Sequence, residues 1–207
     1  MSFQAWLAFA AATFVLLVIP GPTILLVVSY ALGRGMRAAL PMAIGVALGD
    51  FTAMTLSLVG LGAVLAASAT LFAVLRWVGA AYLIWMGWKL WRAGGALRVE
   101  AREDAEPAWK MIAHAWLVTA LNPKSIIFFV AFVPQFMNPH TDWLTQMIVM
   151  ETTFLVLAFC NALAYATLAS RARAMTRDPR AVSVFNRAGG AALIGLGAYA
   201  AASAARS

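Results

Sequence analysis

The chain has 207 residues, 63% of them hydrophobic and 11% charged, with a formal net charge of +7. Soluble domains carry about 25% charged residues, and apolar runs of about 18 or more recur along this whole chain, the primary sign of membrane-crossing helices. The composition therefore predicts a polytopic, all-α membrane protein. Its basic residues border the apolar runs, so they read as topology determinants facing anionic lipid and not as a nucleic-acid surface.

The N-terminal stretch MSFQAWLAFAAATFVLLVIPGP has no Lys or Arg before its apolar run and no evident small-residue cleavage site. It reads as a retained first helix, not a signal peptide. Six spans are expected, at about 4–30, 38–66, 70–92, 110–136, 143–170 and 185–205, each near the length needed to cross a bilayer. The first contains Val18-Ile19-Pro20-Gly21-Pro22-Thr23, two prolines around a glycine inside an apolar run. Each proline removes a donor and crowds the preceding turn, so this helix is expected to break. Gly33-Arg34-Gly35-Met36-Arg37 is a tight basic turn, and Ala66-Ala67-Ser68-Ala69-Thr70 is a short uncharged one. The connection at about 93–109 is the one long polar stretch. Asn122-Pro123-Lys124 breaks the fourth span as Pro20-Gly21-Pro22 breaks the first. Asn138 to Asp142 and Thr176 to Pro179 are turn chemistry.

Twelve of the fifteen Lys and Arg flank the first, third and fifth connections: Arg34 and Arg37; Lys89, Arg92, Arg98, Arg102 and Lys110; Arg171, Arg173, Arg177, Arg180 and Arg187. Arg76 and Arg206 lie on the other side, and Lys124 falls within a span. The positive-inside rule places those three connections in the cytoplasm and both termini in the periplasm.

Six spans with both ends on one side divide into two halves of three with opposite orientation. A shift of 111 places Ala47, Asp50 and Ala53 on Ala158, Asn161 and Ala164, and Arg76, Gly79, Ala80 and Ala81 on Arg187, Gly190, Ala191 and Ala192. A shift of 101 places Pro22 on Pro123. The expectation is one transporter domain over residues 1–207, built from two inverted three-helix repeats (about 1–95 and 108–207) with helices 1 and 4 broken. Broken helices at corresponding places in inverted repeats mark transporter binding sites, because freed half-helix ends hold the charged ends of small solutes. Packing kinks are the plainer alternative.

The candidate binding or coupling residues are thus Pro20, Gly21, Pro22, Asn122, Pro123 and Lys124 at the breaks, with Asp50, Asn161 and Glu151 as intramembrane polar groups. A midspan carboxyl such as Asp50 is by default a functional-site hypothesis. Its roles are proton coupling or binding of a substrate amine, against fixed pairing with Lys124 or a backbone amide. Lys124 is expected to pair with Asp50, attract a substrate carboxylate or snorkel. Asn122 and Asn161 serve substrate or, more commonly, helix-to-helix hydrogen bonds. Glu151 faces a cavity or lies near the outer interface. His114 is read as structural, Cys160 as inert packing, Gly45 and Gly49 as a close-packing GxxxG, and the eight tryptophans mostly as an interfacial belt.

Ile19 to Pro22, Gly33 to Arg37 and Gly45-Val46-Ala47-Leu48-Gly49-Asp50 resemble the first half of the LysE/RhtB family of amino-acid exporters. Gly79 to Gly87 resembles its third helix. Asn122-Pro123-Lys124 with Phe128-Phe129 and Pro134-Gln135-Phe136 resembles its second half, and Asn186-Arg187 with Gly190, Gly195 and Gly197 its last helix. The resemblance covers nearly the entire chain in order. It implies a secondary transporter exporting amino acids or related metabolites across the bacterial inner membrane, usually drawing on the proton gradient. Glu151 belongs to none of the matching motifs.

An ion exporter or channel using Asp50 and Glu151 is the alternative. Two His and one Cys do not supply a transition-metal cluster, and no HExxH or P-loop is present. Neither a cofactor nor catalysis is expected. The partners are a small amino-acid-like solute, protons and lipid, and a homodimer is compatible with such a chain.

Overall fold

The computed structural model describes residues 1–67, 106–138 and 141–172, with scattered helical positions between 70 and 92 and between 187 and 202. The expected third and sixth spans, and most of the connection between 93 and 109, lie outside the contiguous described residues.

All the described regular structure is helical. Helix α1, Phe3–Val18, starts at Ser2, whose hydroxyl accepts from the Ala5 amide at 3.2 Å. It ends because Ile19 precedes a proline and is held extended (φ −75°, ψ 119°). Pro22 then opens α2, Pro22–Arg34, at a first-turn position where no amide hydrogen is needed. Gly35, at φ 64° and ψ −152°, ends α2 in a conformation that only glycine adopts readily. One 3₁₀ turn, Gly35–Ala38, leads into α3, Ala39–Ala67.

The same order recurs. Helix α4, Ala108–Ala120, breaks at Leu121 and Asn122, and Pro123 opens α5, Pro123–Ala131. A 3₁₀ turn, Val133–Phe136, precedes the long α6, Trp143–Ala172. Asp142 caps α6 by accepting from the Thr145 amide at 2.7 Å. Its fully exposed carboxyl is held below the usual aspartate range by the Thr145 hydroxyl and amide.

The side-chain bonds give the running directions. Thr23 of α2 meets Thr119 while Tyr30 meets His114, so α2 and α4 are antiparallel. Gly45 of α3 abuts Ile112 and Ala115 while Gly49 abuts Trp116 and Thr119, so α3 and α4 are parallel. Hence α2 and α3 run in opposite directions, and the chain reverses at Gly35. Thr55 meets Glu151, whereas Asp50 shares a cavity with Asn161, so α6 opposes α3. Trp6 meets Thr153 and Leu17 meets Asn161, so α1 runs with α6.

By length and hydropathy, the helical stretches Pro22–Gly60, which contains the reversal at Gly35, and Trp143–Arg171 are long and apolar enough to cross a membrane. The pair α4 and α5, bent by 47°, makes a third if it is one span. The surface is apolar, with Leu40, Phe51, Leu56, Val156 and Leu168 exposed, while Asp50, Lys124, Asn122, Thr23 and Ser125 are buried. That is the arrangement hydrocarbon demands of intramembrane polar groups. An aromatic cluster of Phe128, Phe129, Phe132 and Phe154 fills the core beyond the second break, with Phe129 and Phe154 edge-to-face at 4.8 Å.

The expected GxxxG packing is visible atom by atom. A Cβ at Gly45 would lie 2.5 Å from the Ile112 carbonyl oxygen, and one at Gly49 would lie 2.6 Å from Thr119 Cβ. Glycine is what lets α3 and α4 touch backbone to backbone. Seven of the tryptophans, Trp77, Trp85, Trp88, Trp91, Trp109, Trp116 and Trp143, are exposed. Cys160 is exposed as well, so it lies on the outer face of α6 and is not packed in the core.

Candidate functional site

The break between α1 and α2 leaves the last carbonyls of α1 without helical partners, as every helix C-terminus does. Inside a bilayer such groups need protein donors or water. Here four successive carbonyls each have one. Lys124 Nζ donates to Leu16 O at 2.9 Å and to Ile19 O at 2.7 Å. Asn161 Nδ2 donates to Leu17 O at 3.0 Å, and the Tyr165 hydroxyl donates to Val18 O at 2.6 Å. All three donors come from the second half of the chain, Lys124 from α5 and the others from one face of α6.

The second break is built against the first. Asn122 caps α5, its Oδ1 accepting from the Lys124 amide at 3.0 Å, while its Nδ2 donates to Thr23 Oγ1 at 3.0 Å. Thr119 Oγ1 donates to the same Thr23 oxygen at 3.3 Å. Pro22 and Pro123 occupy matching first-turn positions and are both exposed. They shape the breaks without lining the space between them, and Pro20 does not line it either.

That space is a cavity of about 20 Å³ bordered by Leu17, Gly21, Thr23, Ile24 and Val46, by Asp50, Asn122, Lys124 and Ser125, and by Ala158 and Asn161. It has room for about one water molecule. Of the nine candidates, the structure brings Gly21, Asp50, Asn122, Lys124 and Asn161 to this one place. Asp50 is 2% exposed and Lys124 is 4% exposed. Lys124 and Ser125 line the cavity with the Asp50 carboxyl, whose Oδ1 has no hydrogen-bond partner among the described residues.

Glu151 stands apart. It is buried, but it accepts from the Thr55 hydroxyl at 2.6 Å, beyond the cavity along α3. On the opposite side, the buried Tyr30 hydroxyl donates to Glu106 Oε2 at 2.6 Å and lies 3.1 Å from His114 Nδ1. Arg34 reaches the Glu106 carbonyl and, at 3.3 Å, Met111 Sδ. His114 is thus part of a bonded cluster near the start of α4.

Sequence reasoning missed Thr23, Ser125, Thr119 and Tyr165. The signals were present: Thr23 and Ser125 follow the prolines of the two breaks, and Tyr165 is one helical turn after Asn161, on the same face.

The cavity has one acid and one base, the C-terminal, electronegative end of α1, and the N-terminal, electropositive ends of α2 and α5. Residues 14–204 match the family model described as LysE type translocator. The chain belongs to the LysE type translocator family. This translocator is similar to the homoserine/homoserine lactone efflux protein of Salmonella typhimurium, 32% identical over 198 residues and 96% of each chain. It is also similar to the leucine efflux protein of Enterobacter sp., 32% identical over 156 residues and 74% of each chain. An uncharacterized membrane protein of Vibrio cholerae is 31% identical over 95% of the translocator. No solved structure matches it at a significant level. The family, and the two relatives named as efflux proteins, agree with the resemblance read from the sequence.

Proposed function

We propose that the protein exports small α-amino compounds across the bacterial inner membrane, through the cavity between the two helix breaks. The cavity carries this reading, because it joins complementary charges to freed helix ends at matching positions of two chain halves. The compounds named for the relatives, homoserine, its lactone and leucine, share a primary amine, whereas a free carboxylate is missing from the lactone. That shared group defines the substrate class proposed here.

The architecture proposed for the whole chain is six spans in one domain, as two inverted three-helix repeats. Short helix, break, short helix, long helix occurs twice, in α1–α3 and α4–α6, and the second set runs opposite to the first. Arg34 and Arg37 at the α2–α3 turn and Arg171 at the end of α6 agree with a cytoplasmic assignment of that side and periplasmic termini.

The driving ion proposed is the proton, with Asp50 as its carrier. Asp50 is buried beside the cavity that Lys124 also lines, so a change in its charge alters the balance of the whole site. The test is efflux from loaded vesicles under an imposed pH gradient. Asp50→Asn is expected to remain folded and lose accumulation against a gradient, with a larger effect than Glu151→Gln. Undiminished pH-driven transport by the Asn variant removes Asp50 from the coupling step.

A further inference from the structure

Four carbonyls are freed at the end of α1, but they are not treated alike. Those of Leu17 and Val18 are capped by neutral donors, Asn161 and Tyr165, fixed on the long helix α6. Those of Leu16 and Ile19 are capped by one cation on a flexible four-carbon stem. A purely structural plug has no need of a buried ammonium group, which carries a desolvation cost that amide or phenol donors avoid. The stem runs past Gly21, where an added Cβ would meet its Cδ, Cε and Nζ at 3.5 Å, so the glycine leaves room for about a methyl group beside it.

The ammonium group makes two bonds, and a further acceptor lines the same cavity. Besides the two carbonyls, Asp50 borders the same cavity, and its buried Oδ1 is unpartnered among the described residues. The site thus offers two carbonyls and a carboxylate, equal in number to the three donors of a primary ammonium. The cavity left beside it holds about one water, so a solute of amino-acid size enters only if something withdraws. Lys124 is the longest side chain lining the cavity, and its flexible four-carbon stem can carry the ammonium group away.

We propose that the C-terminal end of α1, with the Asp50 carboxylate, is a primary-ammonium site that Lys124 fills in the closed state and the solute's ammonium group takes over on binding. The exchange keeps the site's charge in balance. The arriving ammonium satisfies Leu16 O, Ile19 O and Asp50, while the released Lys124 is free to meet the solute's carboxylate or ester oxygens near the electropositive starts of α2 and α5. Recognition then rests on the amine: a primary ammonium donates three hydrogen bonds, an N-acylated amine one without charge, and a quaternary ammonium none. The inference rests on the reading of this cavity as the transport site.

Lys124→Ala opens the site and leaves the stem's volume vacant. Thermal unfolding of the purified full chain in detergent is measured against concentration of propylammonium, with tetramethylammonium at equal ionic strength. Lys124→Ala is expected to unfold well below the natural protein and to regain much of that loss, saturably, with propylammonium alone. Lys124→Met, which fills the space with an apolar chain, is expected to show no such response. Equal responses to both cations, or none to either, overturn the proposal. If Lys124→Ala does not survive extraction, the readout is the yield of monodisperse protein extracted in each cation. Selective recovery with propylammonium supports the site, and recovery with neither or with both equally rejects it. The exporter reading fails on different evidence: absent efflux by the natural protein together with a selective propylammonium response removes the transport role and leaves the ammonium site standing.

Discussion

Replacing Gly49 by alanine tests whether the contact of α3 with α4 holds the site together. The added Cβ would lie 2.6 Å from Thr119 Cβ, 2.7 Å from the Trp116 carbonyl oxygen and 3.0 Å from the Ala120 amide nitrogen. Ordinary carbon contacts fall at about 3.5–4.0 Å, so the two backbones must part by roughly 1 Å. None of the three atoms is the free end of a flexible side chain, so relief comes only from moving a helix. Overpacking of this kind costs about 1–3 kcal/mol, which for a chain of this size lowers the midpoint of thermal unfolding by roughly 3–10 °C. Function should suffer more than stability, because Asp50 is the next residue on α3 and Thr119 is bonded to Thr23 at the break. Separating the helices draws the carboxyl away from Lys124. The comparison is Gly60→Ala on the same helix, where an added Cβ meets no atom within 4 Å. There the gain in helix propensity of up to about 1 kcal/mol should appear unopposed. Thermal unfolding in detergent and efflux from vesicles are measured for both. Equal midpoints for the two variants refute the reasoning.

Further expectations are as direct. Tyr165→Phe removes the donor to Val18 O and should cost about 1–2 kcal/mol in thermal unfolding, more than Thr153→Ala, whose hydroxyl serves Trp6 at the partly buried edge. Gly35→Ala forces a side chain into a positive-φ turn and should cost about 1–3 kcal/mol, although the space beside it is open. For Asp142, the lowered carboxyl value means that its contribution to stability is complete above the ordinary aspartate value of about 3.9 and is lost as pH falls through the lowered one. Acid unfolding of Asp142→Ala should therefore lack that component. Reporter fusions after Gly35, Val99 and Met175 should all read as cytoplasmic, and a periplasmic signal at Val99 contradicts the proposed topology.

The breaks, the glycine contact and the reversal at Gly33–Arg37 were legible because each depends on backbone chemistry that one or two residue types impose. Proline cannot continue a helix, and Gly35 alone tolerates its φ. The gathering of Asp50, Asn122, Lys124 and Asn161 was legible in outline, since polar groups within apolar runs must face inward. What each does there was not. Lys124 was expected to pair, attract a carboxylate or snorkel, and its role as cap of α1 depends on where α5 crosses α1, a tertiary fact with no local signature. Glu151 shows the limit of the same logic: it was expected to face a cavity or lie near the outer interface, and it is buried with a neighbouring Thr55 hydroxyl engaging it away from the cavity. Cys160 shows another, because hydrophobicity cannot tell the lipid side of a membrane helix from its packed side.

The capping of α1 also bears on how the protein is made. The break emerges early, yet its donors follow 105, 144 and 147 residues later. At synthesis rates of about 5–20 residues per second, this is a delay of roughly 5–30 s. During that time the carbonyls of residues 16–19 have no partner from their own chain, and each costs several kcal/mol if held in hydrocarbon. The first half is therefore expected to wait near water or the insertion machinery, and to settle at its final depth only when α6 has joined it. A chain stopped after α3 should be extracted and degraded, and the same fragment should persist when residues 106–207 are supplied as a separate polypeptide.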